Sequence, residues 1–301
     1  MTHQISKILQ NATKKIDRFD AEILLAHVLK KPREFIIAHP EYKVTRIQYW
    51  KMNRLTRLRS QGIPYAHLTG RKGFYGLDFI VNKYTLVPRP ETEVLVEHAV
   101  ASLPLLGGGQ EGVEGRRNII LIDVGTGSAC IPISILKSSN LQSSIFTYAT
   151  DISKHALKIA RKNAQKHNAN ITFLQGNLLE PIIKNCSLII DNCSLILTAN
   201  LPYLTQEQFD TEPTIQHEPI SALVAEEDGL KLYKELLDQI KNLISQFSNF
   251  KISAFFEIDP SQTTKLSNYI QHNFPNSKIE VYKDGMGNDR VIKTSFTIDK
   301  S

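Results

Sequence analysis

Residues 119–139 read IILIDVGTGSACIPISILKSS, and this stretch decides the fold. Six apolar or acidic residues of strand character, Ile119 to Val124, run into Gly125-Thr126-Gly127-Ser128-Ala129 and then into an apolar run of helical length. Glycines at such a turn tolerate left-handed backbone, and the N–H groups that open a helix lack intrahelical partners, so the turn suits a nucleotide-like ligand. Pro132 falls in the first helical turn, where a missing N–H costs little. Working outward, residues 144–151 (SIFTYATD) read as a second strand, 153–168 as a helix and 171–177 (ITFLQGN) as a third strand. Strands that alternate with helices predict a parallel sheet covered on both faces. Further strands are expected at 195–199 and 252–258, with a helix between them at 229–245 and another after Pro260. The closing strands at 278–284 and 289–296 have a short connection, so they must run antiparallel, and the sheet is mixed at one edge.

N-terminal to this unit, apolar residues recur at helical spacing from Ile5 through Leu24 and Val28 to Leu55 and Leu58, which predicts a small helical domain with Asp20 capping a helix that starts at Ala21. The aromatic and β-branched stretch between glycines that follows predicts a hairpin. We therefore divide the chain into a helical domain at 1–70, a hairpin linker at 71–88 and an α/β domain at 89–301. A helix is expected after Pro90, with Glu91 and Glu93 at the positive end of its dipole.

The composition, 42% hydrophobic and 22% charged over 301 residues, excludes a disordered or collagenous chain. Cys130, Cys186 and Cys193 form no metal-ligand spacing and no disulfide framework, so we expect no metal and buried thiols in a reducing compartment. No apolar run approaches the roughly 20 residues of a membrane span, and the expected location is cytoplasmic. A net charge of +6 suits nucleic acid but is spread along the chain, so charge alone decides nothing.

Asp151 ends the second strand, where an acid can accept both hydrogen bonds of a ribose diol; it could equally cap the helix that follows. Asn177 and Leu178 close the third strand, where an adenine edge and face would lie. The third glycine of a dinucleotide fingerprint is absent, Cys130 standing in its place, yet at this level NAD and S-adenosyl-L-methionine both fit.

The fourth strand ends in Asn200-Leu201-Pro202-Tyr203, at the sheet edge where ligands of doubly wound folds bind. An amide nitrogen is a poor nucleophile because its lone pair is delocalised, so both its N–H groups must be held. The Asn200 side-chain oxygen and the Leu201 carbonyl can accept one each. Pro202 restricts Leu201 to extended geometry, and Tyr203 offers a ring on which a planar group can stack. The electrophile would be a sulfonium methyl group, with no strong base required.

These residues, together with DAEILLAHVL, PYAHLTGRKGFYGLDF, LVPRPETEVLVE, HEPISALVAEEDGLKLYKELL, FFEI and VYKDGMGNDRVI, resemble the protein-(glutamine-N5) methyltransferases of peptide chain release factors, the PrmC/HemK family. The resemblance spans nearly the whole chain. It implies a Rossmann-like class I methyltransferase domain with a mostly parallel seven-stranded sheet, preceded by a helical domain. It also implies methyl transfer from S-adenosyl-L-methionine, leaving S-adenosyl-L-homocysteine, to the glutamine of a release factor's Gly-Gly-Gln motif in translation termination. Gly125 to Ala129, Asp151, Asn177, Leu178 and Asn200 would hold the cofactor; Asn200 to Tyr203 would hold the glutamine; Arg89 and Glu91 would brace the loop and the mouth of the site. Leu201, Ala129, Asn177 and Asp259 depart from the family's usual proline, glycine, aspartate and glycine. A monomer acting on a protein, without nucleic acid or membrane, is expected. The alternative is an rRNA or DNA adenine-N6 methyltransferase, which would need a basic groove with stacking aromatics; a third reading is an NAD-dependent enzyme or binding module on the same fold. Gly108-Gly109-Gln110 repeats the substrate motif within a Gly-rich stretch, which we read as a surface loop and a coincidence.

Overall fold

The computed structural model describes residues 3–103, 118–139, 145–185, 193–226, 228–246 and 251–296. Gln110 and Cys186 therefore lie outside the described residues.

The helical part comprises α1 (Ile5–Ala12), α2 (Arg18–Leu29), α3 (Arg33–Ala38), α4 (Arg46–Ser60) and α5 (Tyr65–Thr69). Two short strands, β1 (His3–Gln4) and β2 (Lys43–Val44), pair antiparallel beside them. α2 buries Ala21, Leu24, Leu25 and Leu29 against Ile5, Ile8 and Met52. Its cap is Asp17, whose carboxylate accepts the Phe19 N–H at 2.7 Å; Asp20, the expected cap, is instead buried in the first turn and bound by Arg59 at 2.5 Å. The core claims Asp20 because the partner that can neutralise it sits 39 residues away, beyond local reading.

The hairpin is β3 (Arg71–Phe74) and β4 (Leu77–Ile80), joined by Tyr75-Gly76 with both residues at positive φ, the twist a two-residue loop requires. Phe74 and Phe79 bury into the core of the sheet domain.

That domain contains α6 (Glu93–Ala101), β5 (Asn118–Val124), α7 (Cys130–Ser138), β6 (Ile145–Asp151), α8 (Lys154–Lys166), β7 (Thr172–Gln175) and α9 (Glu180–Asn185). It continues with β8 (Cys193–Ala199), α10 (Gln206–Thr211), α11 (Lys231–Gln246), β9 (Lys251–Glu257), α12 (Thr263–Asn273), β10 (Lys278–Lys283) and β11 (Asp289–Phe296). The seven strands follow the order β10-β11-β9-β8-β5-β6-β7. β5 to β9 are mutually parallel, and β11 is antiparallel to both β9 and β10, the mixed edge expected from the short final connection.

The apolar run of β5, Ile119 to Ile122, feeds two cores. Ile119 and Leu121 pack with Leu95, Ile133 and Ala160 on one face, while Ile120 and Ile122 pack with Leu236, Ile240 and Leu266 on the other. The chain leaves β5 toward β6 and β7, then crosses back to β8 on the opposite side. β5 and β8 thus part their connections at a topological switch point, where a crevice opens at the carboxyl ends. Register sets Val124 opposite Ala199 and Thr150, so the glycine turn, Asp151 and Asn200 share that edge. Among the described residues no helix is long and apolar enough to cross a membrane.

Candidate active site

A cavity of about 360 Å³ opens at the switch point. It is walled by the turn Gly125 to Ser128, by Asp151, Asn177 and Leu178, by Asn200, Leu201 and Pro202, and by Arg89. Ala129, Glu91 and Tyr203 do not line it.

The turn is shaped by left-handed backbone at Gly125 (φ 71°), Gly127 (φ 54°) and Ala129 (φ 62°). A side chain at Gly125 would meet the Leu201 Cδ2 at 3.0 Å, so glycine lets the ends of β5 and β8 touch. Asp151 secures the turn from the neighbouring strand: its Oδ2 accepts the Gly127 N–H at 2.8 Å and its Oδ1 the Ser153 N–H at 2.7 Å. Burial raises its pKa, and the two N–H donors pull the other way. Ser153, not Asp151, is the cap residue of α8.

Asn163 of α8 links hairpin to turn, although no local motif pointed to it. Its Oδ1 accepts the Ile80 N–H at 2.7 Å, and its Nδ2 donates to Ile80 and Ser128 carbonyls at 2.9 Å each. Asn177 donates through its Nδ2 to Glu235 of α11. Leu178 is buried with φ 47°, a left-handed conformation that a branched side chain adopts at a cost.

Arg89 reaches the buried carboxylate of Glu218, whose other oxygen accepts the Val87 N–H at 2.9 Å. The segment before α6 is thereby clamped to the loop that follows α10. Glu91 stands on the one-turn 3-10 helix Pro90–Thr92 and acts on the site through its charge, which repels Glu257.

The Asn200 side chain is held from behind. Its Nδ2 donates to the Glu257 Oε2 at 2.8 Å and to the Thr92 Oγ1 at 3.2 Å, and the Thr92 hydroxyl also bonds the Glu257 carboxylate. With its NH2 engaged, the amide keeps Oδ1 for the cavity it lines. The Leu201 N–H donates to the Tyr233 hydroxyl at 3.2 Å, and that hydroxyl donates to the Glu257 backbone carbonyl. Glu257 is buried at the end of β9, and desolvation pushes its pKa up to about 7 against the opposing pull of Thr92, Arg290 and Asn200. Tyr203 lies half-buried against the core, its carbonyl accepting from Gln262 at 2.9 Å; burial raises its hydroxyl pKa above the usual value, so it stays protonated.

Thr92, Glu257, Tyr233, Glu218 and Asn163 were not singled out by sequence reading. Glu257 alone carried a local signal, an acid at the carboxyl end of the apolar strand run FFEI.

A model described as methyltransferase domain matches residues 116–284, and one described as PrmC N-terminal domain matches residues 1–70. The sheet order, the glycine turn and this match define a Rossmann-like methyltransferase with a helical N-terminal region. The release factor glutamine methyltransferase of Bacillus subtilis (strain 168) is 32% identical over 274 residues, covering 90% of this chain and 89% of its own. That of Dictyoglomus turgidum is 33% identical over 294 residues, covering 95% of each. The chain belongs to the release factor glutamine methyltransferase family. Among solved structures, the catalytic domain of human METTL16 in complex with a MAT2A 3'UTR hairpin superposes with a TM-score of 0.53 at 14% identity, covering 92% of this chain and 93% of its own. At that identity the likeness speaks for the fold.

Proposed function

We propose that this protein transfers a methyl group from S-adenosyl-L-methionine to the side-chain amide nitrogen of the glutamine in the Gly-Gly-Gln motif of peptide chain release factors. The observation that carries the reading is the locked amide of Asn200: its NH2 is tied to Glu257 and Thr92, which leaves its oxygen, on our reading together with the carbonyl of the adjoining cavity residue Leu201, to serve as a pair of acceptors. Two acceptors and no donor match the NH2 of a primary amide. The named relatives over most of the chain support the same substrate.

The cavity residues fit the cofactor chemically. Each oxygen of Asp151 accepts one backbone N–H and retains capacity for a ribose hydroxyl. A side chain at Gly127 would project into open space, so the backbone leaves room for a ligand there. Leu178 offers an apolar wall and Asn177 an amide oxygen. When bound, the cofactor supplies an electrophilic methyl group on sulfur. The chain's own part is positioning: the two oxygens hold the substrate N–H groups and orient the nitrogen, and Pro202 fixes the carbonyl beforehand. All these groups come from one chain, so the reading requires no second copy.

Incubation with a purified release factor and labelled cofactor, followed by mapping of the modified residue, tests the proposal. One methyl on the Gly-Gly-Gln glutamine is expected, and label confined to RNA or to another residue would overturn it. Asn200→Ala should lower kcat by about 100- to 1,000-fold while cofactor affinity, read by calorimetry, stays near that of the parent.

A further inference from the structure

We infer that Glu257 is a positioning residue for methyl transfer: it anchors both acceptors of the substrate amide, holding Asn200 through its carboxylate and Leu201 through its backbone. The inference rests on the reading of Asn200 and Leu201 given under Proposed function, and it adds a residue outside the cavity wall. The geometry is specific. Asn200 directly follows β8 and Glu257 ends the adjacent parallel strand β9, so one carboxylate oxygen reaches the Asn200 NH2 at 2.8 Å. Thr92 completes a triangle, accepting from Asn200 at 3.2 Å and bonding the same carboxylate. The second arm is the Tyr233 hydroxyl, which donates to the Glu257 carbonyl and accepts the Leu201 N–H at 3.2 Å.

A side-chain amide can turn over by a half rotation and present NH2 in place of oxygen, and its two ends differ little in shape. Turned over, Asn200 would face the substrate with a donor, and two opposed NH2 groups would exclude the productive pose. Only an acceptor behind Asn200 prevents this. Ionised Glu257 is acceptor-only, and Thr92, with its own proton committed to that carboxylate, is left as an acceptor too. Buried acids with no function are costly, because desolvation penalises the charged form. Here the acid is 1% exposed and holds Asn200 directly and Leu201 through the Tyr233 hydroxyl.

Protonation of Glu257 would convert one oxygen into a donor and release the lock. Its titration is set by burial and by the groups that face it: Arg290 of β11 and the hydrogen bonds from Thr92 and Asn200 favour the charged form, and Glu91 of the 3-10 turn opposes it. Tyr203, Tyr233 of α11 and Cys130 of α7 also face its charge, and all three are held protonated by burial. The lock is therefore closed above, and opened below, a pH of about 7.

The test compares wild type, Glu257→Gln, Thr92→Val and Thr92→Ser with a release factor and labelled cofactor. Wild-type transfer to the glutamine tests the underlying reading; the variants, measured relative to wild type, test the inference. Glu257→Gln should lower kcat by about 100-fold with little change in KM, Thr92→Val by about 10-fold, and Thr92→Ser should stay near wild type. Wild-type kcat should rise with pH through a midpoint near 7 that is absent in Glu257→Gln. In the protein alone, the 15N-labelled side-chain NH2 of Asn200 should titrate with that midpoint in wild type and not in Glu257→Gln. Thr92→Val serves if Glu257→Gln proves unfolded by circular dichroism. A flat wild-type profile, an Asn200 resonance that does not titrate, or a Thr92→Val enzyme as active as Thr92→Ser would overturn the inference.

Discussion

The carboxylate of Asp151 accepts the N–H of Gly127 at 2.8 Å, so the end of β6 pins the turn that follows β5. Its other oxygen accepts the Ser153 N–H at 2.7 Å, which ties the same group to the start of α8. Asp151 is thus both a structural pin and a candidate for the ribose. The two roles separate in experiment. Asp151→Ala should raise the cofactor Kd at least about 10-fold, as calorimetry would report, and should also cost roughly 1–3 kcal/mol of stability from the stranded N–H groups. Asp151→Asn keeps one acceptor oxygen, so its stability loss should be the smaller. Equal cofactor affinity in wild type and Asp151→Ala would remove the ribose role.

Asn163 is fully buried and spends three hydrogen bonds on two segments, Ile80 at the end of the hairpin and Ser128 in the glycine turn. Asn163→Ala leaves an N–H and two carbonyls without partners in an apolar setting. A destabilisation of about 2–4 kcal/mol is expected in urea unfolding. Because Ser128 belongs to the turn, cofactor affinity should weaken as well, although Asn163 does not line the cavity. Unchanged affinity would show that the hairpin does not support the turn.

How much of this was legible in the sequence follows from how far apart the partners lie. The run from Ile119 to Ala129 and the tetrapeptide from Asn200 to Tyr203 are contiguous, so periodicity and residue type located them and the sheet edge they share. The contacts that make Asn200 useful are not contiguous. Glu257 and Thr92 lie 57 and 108 residues from it, and only the strand order and the packing of the 3-10 turn bring them together. Asp20 was misread for the same reason: a local capping rule competed with Arg59, a partner from another helix. The strands at His3–Gln4 and Lys43–Val44 are two residues long, too short for any period to register. Tyr203 could be assigned an aromatic role from its type, but its half-buried place against the core is set by Gly229 and Gln262.

Gly229 illustrates that constraint. A β-carbon there would stand 1.9 Å from the Tyr203 carbonyl oxygen and 2.4 Å from the Gln262 Nε2, and φ is 78°. Backbone cannot yield to such an overlap, so Gly229→Ala should displace the Tyr203 loop and cost about 3 kcal/mol or more. At Gly127 a β-carbon meets nothing within 4 Å, so Gly127→Ala should cost only about 1–2 kcal/mol of left-handed strain while lowering cofactor affinity, since that residue walls the cavity. Thermal unfolding and calorimetry on the two variants should rank them in opposite orders. The same rank in both measurements would sink the distinction.

Asp123 supplies a pH signature of the fold. It is fully buried at the end of β5, its Oδ1 accepting the Thr198 hydroxyl at 2.7 Å, and desolvation pushes its pKa from 3.8 up to about 7. A folded-state value above the unfolded one means that folding favours the protonated acid. The stabilisation is complete below about pH 3.8, falls as pH rises, and is gone above about pH 7. Glu257 contributes in the same direction from 4.5 to about 7, whereas acids held low by cations, such as Glu280 at about 2, act in the opposite direction and only in acid. The difference between Asp123→Asn and wild type isolates the one group. An asparagine keeps the oxygen that accepts from Thr198 and cannot ionise, so the variant should gain on wild type by on the order of a few kcal/mol as pH is raised from about 4 to about 8. Urea midpoints across that range give the measurement. A constant offset between the two proteins would mean that Asp123 is ionised throughout.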